Sequence, residues 1–335
     1  MNNKVIARLG SYYHEWVRAH PFAAAEFSET LEDLLSDGGV TYDRVWARVK
    51  DWPSLKAKAR KLNPDGSPQY PDPWQDIHDI VGVRVTTYHS TEIPAALAVL
   101  RDSFKVRRNV DKTTETRVSG TFGYGSHHLI LEVDDSIEEL AEYRGLIFEV
   151  QIRTVLQHAW AEFEHDIRYK RGPEDPDPAV DRAFTLAAGL IELADQQFDL
   201  IASIQNAETT TDDDVELSAE TLPGVLAVVL GNRFPRPRSE HFRWLEELLA
   251  ANGVTTVREL RQLLREEDID AVTRAVDYRF RPGQVRLIDD LLLRQFGQSH
   301  IDRTGDTGNR ASQRPKRLQN RLKLMRRAHI TEDSG

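Results

Sequence analysis

Residues 146–170 read LIFEVQIRTVLQHAWAEFEHDIRYK, and two periodicities meet inside that stretch. Over 146–153 the side chains alternate: Phe148, Val150 and Ile152 fall on one side, and Glu149, Gln151 and Arg153 on the other. Period two is the mark of a strand, here with one apolar face and one chemically loaded face. From 154 the spacing lengthens. Val155, Ala159, Phe163 and Ile167 recur at steps of four, which predicts an amphipathic helix over 154–170.

Working outward, IHDIVGVRVTTY (77–88) repeats the strand pattern, with Val81, Val83 and Val85 on one face and Gly82, Arg84 and Thr86 on the other. HLILEV (128–133) supplies a third strand, and IPAALAVLRDSF (93–104) a helix between the first two. Before them, residues 1–62 show helical spacing in Tyr12, Trp16 and His20 and again in Phe27, Leu31, Leu34 and Leu35, which predicts two amphipathic helices. LNPDGSPQYPDPW (62–74) is a loop by its prolines, glycine and aspartates. The expected class is α/β, of the α+β kind, with a mixed sheet flanked by helices.

A long helix over about 178–208 leads into the acidic, turn-prone TTTDDDVE (209–216). This places a domain boundary there, giving 1–208 and 209–335. Beyond it LPGVLAVVL, HFRWLEELL, VRELRQLL and VRLIDDLLLRQF all show helical apolar spacing, so the second part is expected to be all-helical. No internal repeat is evident. The end of the chain, 310–329, gathers Arg310, Arg314, Lys316, Arg317, Arg321, Lys323, Arg326 and Arg327 without an acid, and reads as a solvated basic end or an arm that contacts RNA or nucleotide.

Composition narrows the chemistry. The 335 residues are 40% apolar and 29% charged, which allows about two domains of ~150 residues. Lys and Arg number 44 against 54 acids, a net charge of −10, so any polyanion site must be local. There is no cysteine, which excludes disulfide scaffolds, thiolate zinc sites, iron–sulfur clusters and cysteine nucleophiles. The first residues contain no secretory-type apolar run, and no stretch of about 18 apolar residues follows, so the expected location is cytoplasmic, without a membrane partner.

Three segments carry candidate chemistry. In WARVKDWPSLKAKARK (46–61), six cations surround Pro53 and Ser54. Pro53 is expected to interrupt a helix begun at 42–50, and Ser54 to cap a new one starting near Leu55; a helix N-terminus among cations attracts phosphate. Asp79, at the mouth of one strand, and Glu149, on the polar face of another, converge if the strands are neighbours, and Mg²⁺ favours such carboxylates with substrate phosphates. In FGYGSHH (122–128) two glycines flank Tyr124, whose ring could stack on a base or simply pack in a turn. Glu162 and His165 form E-x-x-H, but no second copy exists for a di-iron bundle, and GTFGYGS (120–126) lacks the ending of a P-loop.

In order, R-x-K with S-x-K-x-K (48–58), D-I-V-G-V-R (79–84), G-Y-x-S-x-H (123–128), E-V-Q-I-R-T (149–154) and W-A-E-x-E-H-D-I-x-Y-K (160–170) resemble the RelA/SpoT synthetase domain over about residues 40–205. The resemblance implies a nucleotidyltransferase-like fold that moves the β,γ-pyrophosphate of ATP to the 3′-hydroxyl of GDP or GTP, making (p)ppGpp and leaving AMP. It implies that Arg48 and Arg84 sandwich adenine while Lys50, Ser54, Lys56 and Lys58 hold the ATP phosphates. Asp79 would ligate Mg²⁺, and Glu149 would share the ion or take the proton of the attacking hydroxyl. Tyr124 would stack on guanine, with Ser126, His128, Gln151, Arg153 and His158 lining the acceptor side.

About 45 residues precede the first motif, too few for the hydrolase half of long relatives, so synthesis without hydrolysis is expected. The stretch 106–128 departs from the usual pattern: Gly125 replaces a long residue, and Lys105, Arg107, Arg108, Lys112 and Arg117 are the nearby cations. Such a segment also looks like that of toxic small alarmone synthetases, which pyrophosphorylate the 3′ end of tRNA or make adenosine alarmones. tRNA, reached through the basic tail, is therefore the alternative acceptor.

Overall fold

A five-stranded sheet in the order β1-β2-β5-β4-β3 organises the first part of the computed structural model, which describes residues 3–111, 126–171, 178–204, 215–308 and 312–331. The strands are β1 (Arg44–Val49), β2 (Val81–Thr87), β3 (Lys105–Asp111), β4 (His127–Glu132) and β5 (Ile147–Thr154). β2 and β5 run parallel, and the other neighbours pair antiparallel. The mixed α/β class read from the sequence therefore holds.

Alternation along the central strands sets the two faces. Val83 and Val85 of β2, Leu129 and Leu131 of β4, and Phe148, Val150 and Ile152 of β5 are all buried on one side. Helices α2 (Ala23–Asp37) and α5 (Ile93–Ser103) contribute to that apolar core. Phe148 meets Phe27 edge-on with ring centroids 4.9 Å apart, and Phe104, at the end of α5, meets it at 5.2 Å. Such T-shaped contacts suit the ring quadrupoles. Helix α1 (Asn3–Ala19) packs Ile6, Leu9 and Tyr13 against Leu55 and Ala59 of α3 (Trp52–Ala59) and Ile77 and Ile80 before β2. A one-turn helix α4 (Pro73–Asp76), α6 (Val155–Arg171) and α7 (Pro178–Ile204) complete this part.

Three expectations are corrected. Residues 44–49 form strand β1 instead of part of a helix, because Val45 and Ala47 alternate inward and pair with β2. Pro53 does not break a helix but sits in the first turn of α3, where its missing N–H costs nothing. The cap is Asp51, not Ser54: its carboxylate accepts from the Ser54 N–H at 2.9 Å and the Ser54 hydroxyl at 2.8 Å.

The chain divides into two compact units, Met1–Leu34 with Tyr42–Ile201, and Leu35–Thr41 with Ala202–Gly335. The second contains α8 (Leu222–Val229), α9 (Ser239–Ala251), α10 (Val257–Leu263), α11 (Glu266–Val276), α12 (Gln284–Phe296), α13 (Gln298–Thr304) and α14 (Arg314–Arg327). Its core joins Leu245, Leu248 and Leu249 of α9 to Leu287, Leu291 and Leu292 of α12 and Leu318 and Leu322 of α14. Leu35–Thr41 enters through two glycines in close approach: a Cβ on Gly283 would lie 2.8 Å from the Gly39 nitrogen, and Gly39 has a φ of +69°.

Beneath that core lies a buried charge cluster on α12. Asp289 accepts from Arg314 at 2.6 and 3.1 Å, from Arg321 at 3.2 Å, and bonds to the His300 ring at 2.9 Å. Its neighbour Asp290 accepts from Arg321 at 2.5 Å, Arg286 at 2.8 Å and the Tyr278 hydroxyl at 2.7 Å. The last helix is thus not a uniformly solvated basic end: Arg314 and Arg321 are buried partners of acids, while Lys316, Lys323, Arg326 and Arg327 lie on its exposed side.

Candidate active site

The polar face of the sheet is assembled by register. Arg48 of β1, Gly82 of β2, Glu149 of β5 and Ile130 of β4 stand in one cross-strand row. The next row holds Trp46, Arg84, Gln151 and His128, and a third holds Arg44, Thr86 and Arg153. Directly paired residues share a face, so these side chains project together. At the centre Gly82 leaves room, since a Cβ there would meet nothing within 4 Å.

Asp79 stands two residues before β2 and is partly buried. The Lys50 backbone N–H donates to the Ile80 carbonyl at 2.8 Å, which aligns the end of β1 with the entry to β2 and brings the Lys50 ammonium to 2.8 Å from Asp79 Oδ2. The buried Tyr13 hydroxyl donates to the Lys50 carbonyl at 2.9 Å and holds this corner from α1. Lys58, on the second turn of α3, stands 2.9 Å from Oδ1 as an ion pair, although that oxygen has no well-directed hydrogen bond. Burial pushes the Asp79 carboxyl pKa up, and the two ammonium groups more than reverse this, leaving it below the ordinary value.

Glu149 anchors a hydrogen-bonded line across β4 and β5. Its Oε1 lies 2.5 Å from His128 Nδ1, and His128 Nε2 lies 2.7 Å from the Ser126 hydroxyl. The Gln151 amide donates to the same Oε1 at 3.4 Å, and Arg153 donates to Gln151 at 2.5 Å. Burial raises the Glu149 pKa, His128 lowers it and Asp79 raises it again, with a net value below normal. Arg153 is buried, and among the described residues its Nε has no acceptor.

At the start of α6, Thr154 and Gln157 form a reciprocal cap: the Gln157 side chain accepts from Thr154 N–H at 2.8 Å, and Thr154 Oγ1 accepts from Gln157 N–H at 3.0 Å. This fixed junction places His158 over the second row, its Nδ1 3.4 Å from an Arg84 nitrogen. Burial and the Arg84 charge push the His158 pKa down, so its ring is neutral at pH 7 and accepts from Arg84.

Of the residues singled out from the sequence, Asp79, Glu149, Lys50, Lys58, Arg84, Ser126, His128, Gln151, Arg153 and His158 are linked by these contacts, and Arg48 is exposed at the rim beside Gly82. Lys56 is half-buried on α3, and the Ser54 hydroxyl is spent on Asp51, so the N-terminus of α3 is already occupied by the protein's own carboxylate. Tyr124 lies outside the described residues. Two further residues join the site. Glu162 lies 3.1 Å from Arg84, and the Trp46 ring has the Arg84 guanidinium 5.8 Å from its centroid. Glu162 follows His158 by one helical turn, a signal masked by its place in the discarded E-x-x-H; Trp46 was masked by reading β1 as helix.

Among the described residues no group of three or more His, Asp or Glu side chains could hold a metal by itself. Two nearby carboxylates without a third protein ligand fit a hard cation that keeps waters and shares its shell with phosphates. Among the described residues no helix is long and apolar enough to cross a membrane.

Residues 47–174 match the family model described as the region found in RelA / SpoT proteins. The curated relative GTP pyrophosphokinase YwaC of Bacillus subtilis is 33% identical over 107 residues, 32% of this chain and 50% of that protein. GTP pyrophosphokinase YjbM of the same organism is 25% identical over 169 residues, 49% of this chain and 74% of that protein. The chain thus spans half the length of the first of these relatives. The crystal structure of small alarmone synthetase 1 from Bacillus subtilis, bound to its product pppGpp, aligns with a TM-score of 0.47 at 22% identity, over 58% of this chain and 97% of that one.

Proposed function

We propose that the RelA/SpoT region of this chain transfers the β,γ-pyrophosphate of ATP to the 3′-hydroxyl of GDP or GTP, giving (p)ppGpp and AMP. The observation that carries the reading is the position of Asp79, just before β2, and Glu149, paired across from Gly82 on the neighbouring β5, on a sheet face that also carries Lys50, Lys58, Arg84 and Arg153. The relatives named as GTP pyrophosphokinases support this choice of acceptor.

In this reading Arg48 and Arg84 take the adenine between their planar guanidinium groups, which stack well on bases. Lys50 and Lys58 exchange Asp79 for the ATP phosphates, with Lys56 and Ser54 at the outer end. Asp79 and Glu149 would hold Mg²⁺, which supplies charge neutralisation for the transferring pyrophosphoryl group. The 3′-oxygen forms a bond to the β-phosphorus as the bond to the α,β-bridging oxygen breaks, and its electron pair leaves with AMP. The hydroxyl proton passes to Glu149: His128 and Gln151 engage Oε1, which leaves Oε2 for the substrate. Tyr124, Ser126, His128, Gln151, Arg153 and His158 serve the acceptor side, where the buried Arg153 Nε offers a donor to an acceptor phosphate.

Incubation with γ-labelled ATP and, in parallel, GDP, GTP or deacylated tRNA tests the acceptor. Label is expected in a guanosine tetra- or pentaphosphate. Label confined to RNA, or to an adenosine product, would overturn the assignment.

A further inference from the structure

On its polar face strand β1 carries Arg44, Trp46 and Arg48, and Trp46 is the exception among them. An edge strand is normally guarded by charge, and a large ring left 46% exposed there contributes little to a core. Its surroundings give it another use. Trp46 is paired directly across from Arg84, and the Arg84 guanidinium stands 5.8 Å from the centroid of its ring, within the reach of a cation–π contact.

A second element holds the same guanidinium. Glu162 Oε1 lies 3.1 Å from Arg84 Nη1, and His158 Nδ1 lies 3.4 Å from that nitrogen. His158 and Glu162 are one turn apart on α6, whose start is fixed by the reciprocal cap of Thr154 and Gln157. Arg153, one row further along the same face, brings a like charge close to Arg84. Burial lowers the Arg153 pKa, the Arg84 charge lowers it further, and Glu162 works the other way, so this carboxylate eases the crowding of two cations.

Trp46, His158 and Glu162 all stand outside the row of Gly82 and Arg48, where the proposed function places the base. An arginine on its flexible stem loses rotamer freedom when it stacks on a ligand, and one that is already held loses less. Resting on the reading that Arg84 stacks on the adenine of the donor, we propose that Trp46 and Glu162 are positioning residues for donor binding. The indole face and the carboxylate hold the Arg84 guanidinium in the orientation in which it meets the base, and neither touches the nucleotide.

The test is the affinity of the full chain for a non-hydrolysable ATP analogue, measured by calorimetry without acceptor, so that the result is independent of which hydroxyl receives the pyrophosphate. Trp46→Ala is expected to weaken binding about threefold to thirtyfold, the span of a cation–π contact, with unchanged circular dichroism. Trp46→Phe is expected to restore most of the loss, since a phenyl face still carries the guanidinium. Glu162→Ala is expected to cost about twofold to fivefold, as suits a part-exposed ion pair. In steady-state rates the ATP KM rises in both variants while kcat and the acceptor KM stay within about twofold of wild type. On an Arg84→Ala background, itself weakened, neither substitution is expected to cost more. An Arg84→Ala variant of wild-type affinity would overturn the reading of Arg84 and this proposal together. With Arg84→Ala weakened, wild-type affinity in Trp46→Ala or Glu162→Ala would overturn the proposal alone. So would a Trp46→Ala loss that persists undiminished without Arg84, which would make the indole itself a contact of the nucleotide.

Discussion

Replacing Gly82 by alanine separates the role of the sheet floor from the stability of the sheet. A Cβ at this position would meet nothing within 4 Å, and Gly82 is not among the glycines with positive φ, so the methyl group introduces neither a clash nor backbone strain. Alanine restricts the unfolded chain more than glycine does, and at a compatible site this raises stability by about 0.4–1 kcal/mol. The same methyl group projects about 1.5 Å from Cα into the space between Arg48 and Glu149. Displacing a reacting group by roughly 1 Å costs on the order of 10² in rate, about 2.7 kcal/mol. Gly82→Ala is therefore expected to melt at or slightly above the wild-type temperature while its pyrophosphate-transfer rate falls about a hundredfold. Urea unfolding midpoints and initial rates at saturating nucleotide measure the two quantities on the same preparation. A variant that keeps full activity would show that the triphosphate does not cross β2 at Gly82, and one that loses stability along with activity would make the glycine structural.

Glu149→Gln is expected to lower turnover by about 10²–10⁴ while leaving ATP affinity within a few-fold of wild type, because the carboxylate acts at the attacking oxygen and not on adenine; calorimetric titration with a non-hydrolysable ATP analogue and steady-state rates check the split. Lys58→Ala removes one of the two ammonium groups on Asp79, and is expected to raise the ATP KM more than it lowers kcat, as seen in initial-rate curves. Asp289→Asn leaves the buried Arg314 without its acid and Arg321 with Asp290 alone, so the helical unit should lose about 3–5 kcal/mol, read from denaturant unfolding. Burial raises the Asp289 pKa, but Arg314, His300 and Arg321 hold it well below the ordinary carboxylate value, so its contribution to stability is complete above that ordinary value and is lost as the pH falls below it. Thermal melts between pH 3 and 7 should show this acid loss in wild type and a flatter profile in Asp289→Asn.

The central strands were legible because they are buried on one face, and burial forces period-two alternation. β2, β4 and β5 alternate cleanly, and the polar set they expose, from Arg84 to Gln151, forms the candidate site. The two strands that went unread, β1 and β3, are the edges of the sheet. Edge strands carry charge that discourages further pairing, and here Arg44 and Arg48 on β1 and Lys105, Arg107 and Arg108 on β3 look like a solvated face. At α3 the difficulty was local: Pro53 is equally compatible with a break and with a first turn, and only the contact from Asp51 to Ser54 decides between them. The excursion of Leu35–Thr41 into the second unit depends on pairings about 250 residues apart in sequence, such as the Gly283 N–H with the Asp37 carbonyl at 2.7 Å, which local periodicity does not encode.

The arginines of α14 act as keystones for the acids of α12, and this governs how the helical unit can be dissected. A stop codon placed before residue 314 would strip both guanidinium partners from Asp289, leave Asp290 without Arg321, and withdraw Leu318 and Leu322 from the core, so shortening the chain removes the scaffold along with the outer basic residues. Neutralising Lys316, Lys323, Arg326 and Arg327 by glutamine changes the outward charge and leaves the inner arginines in place, which makes it the gentler instrument for asking what that surface attracts.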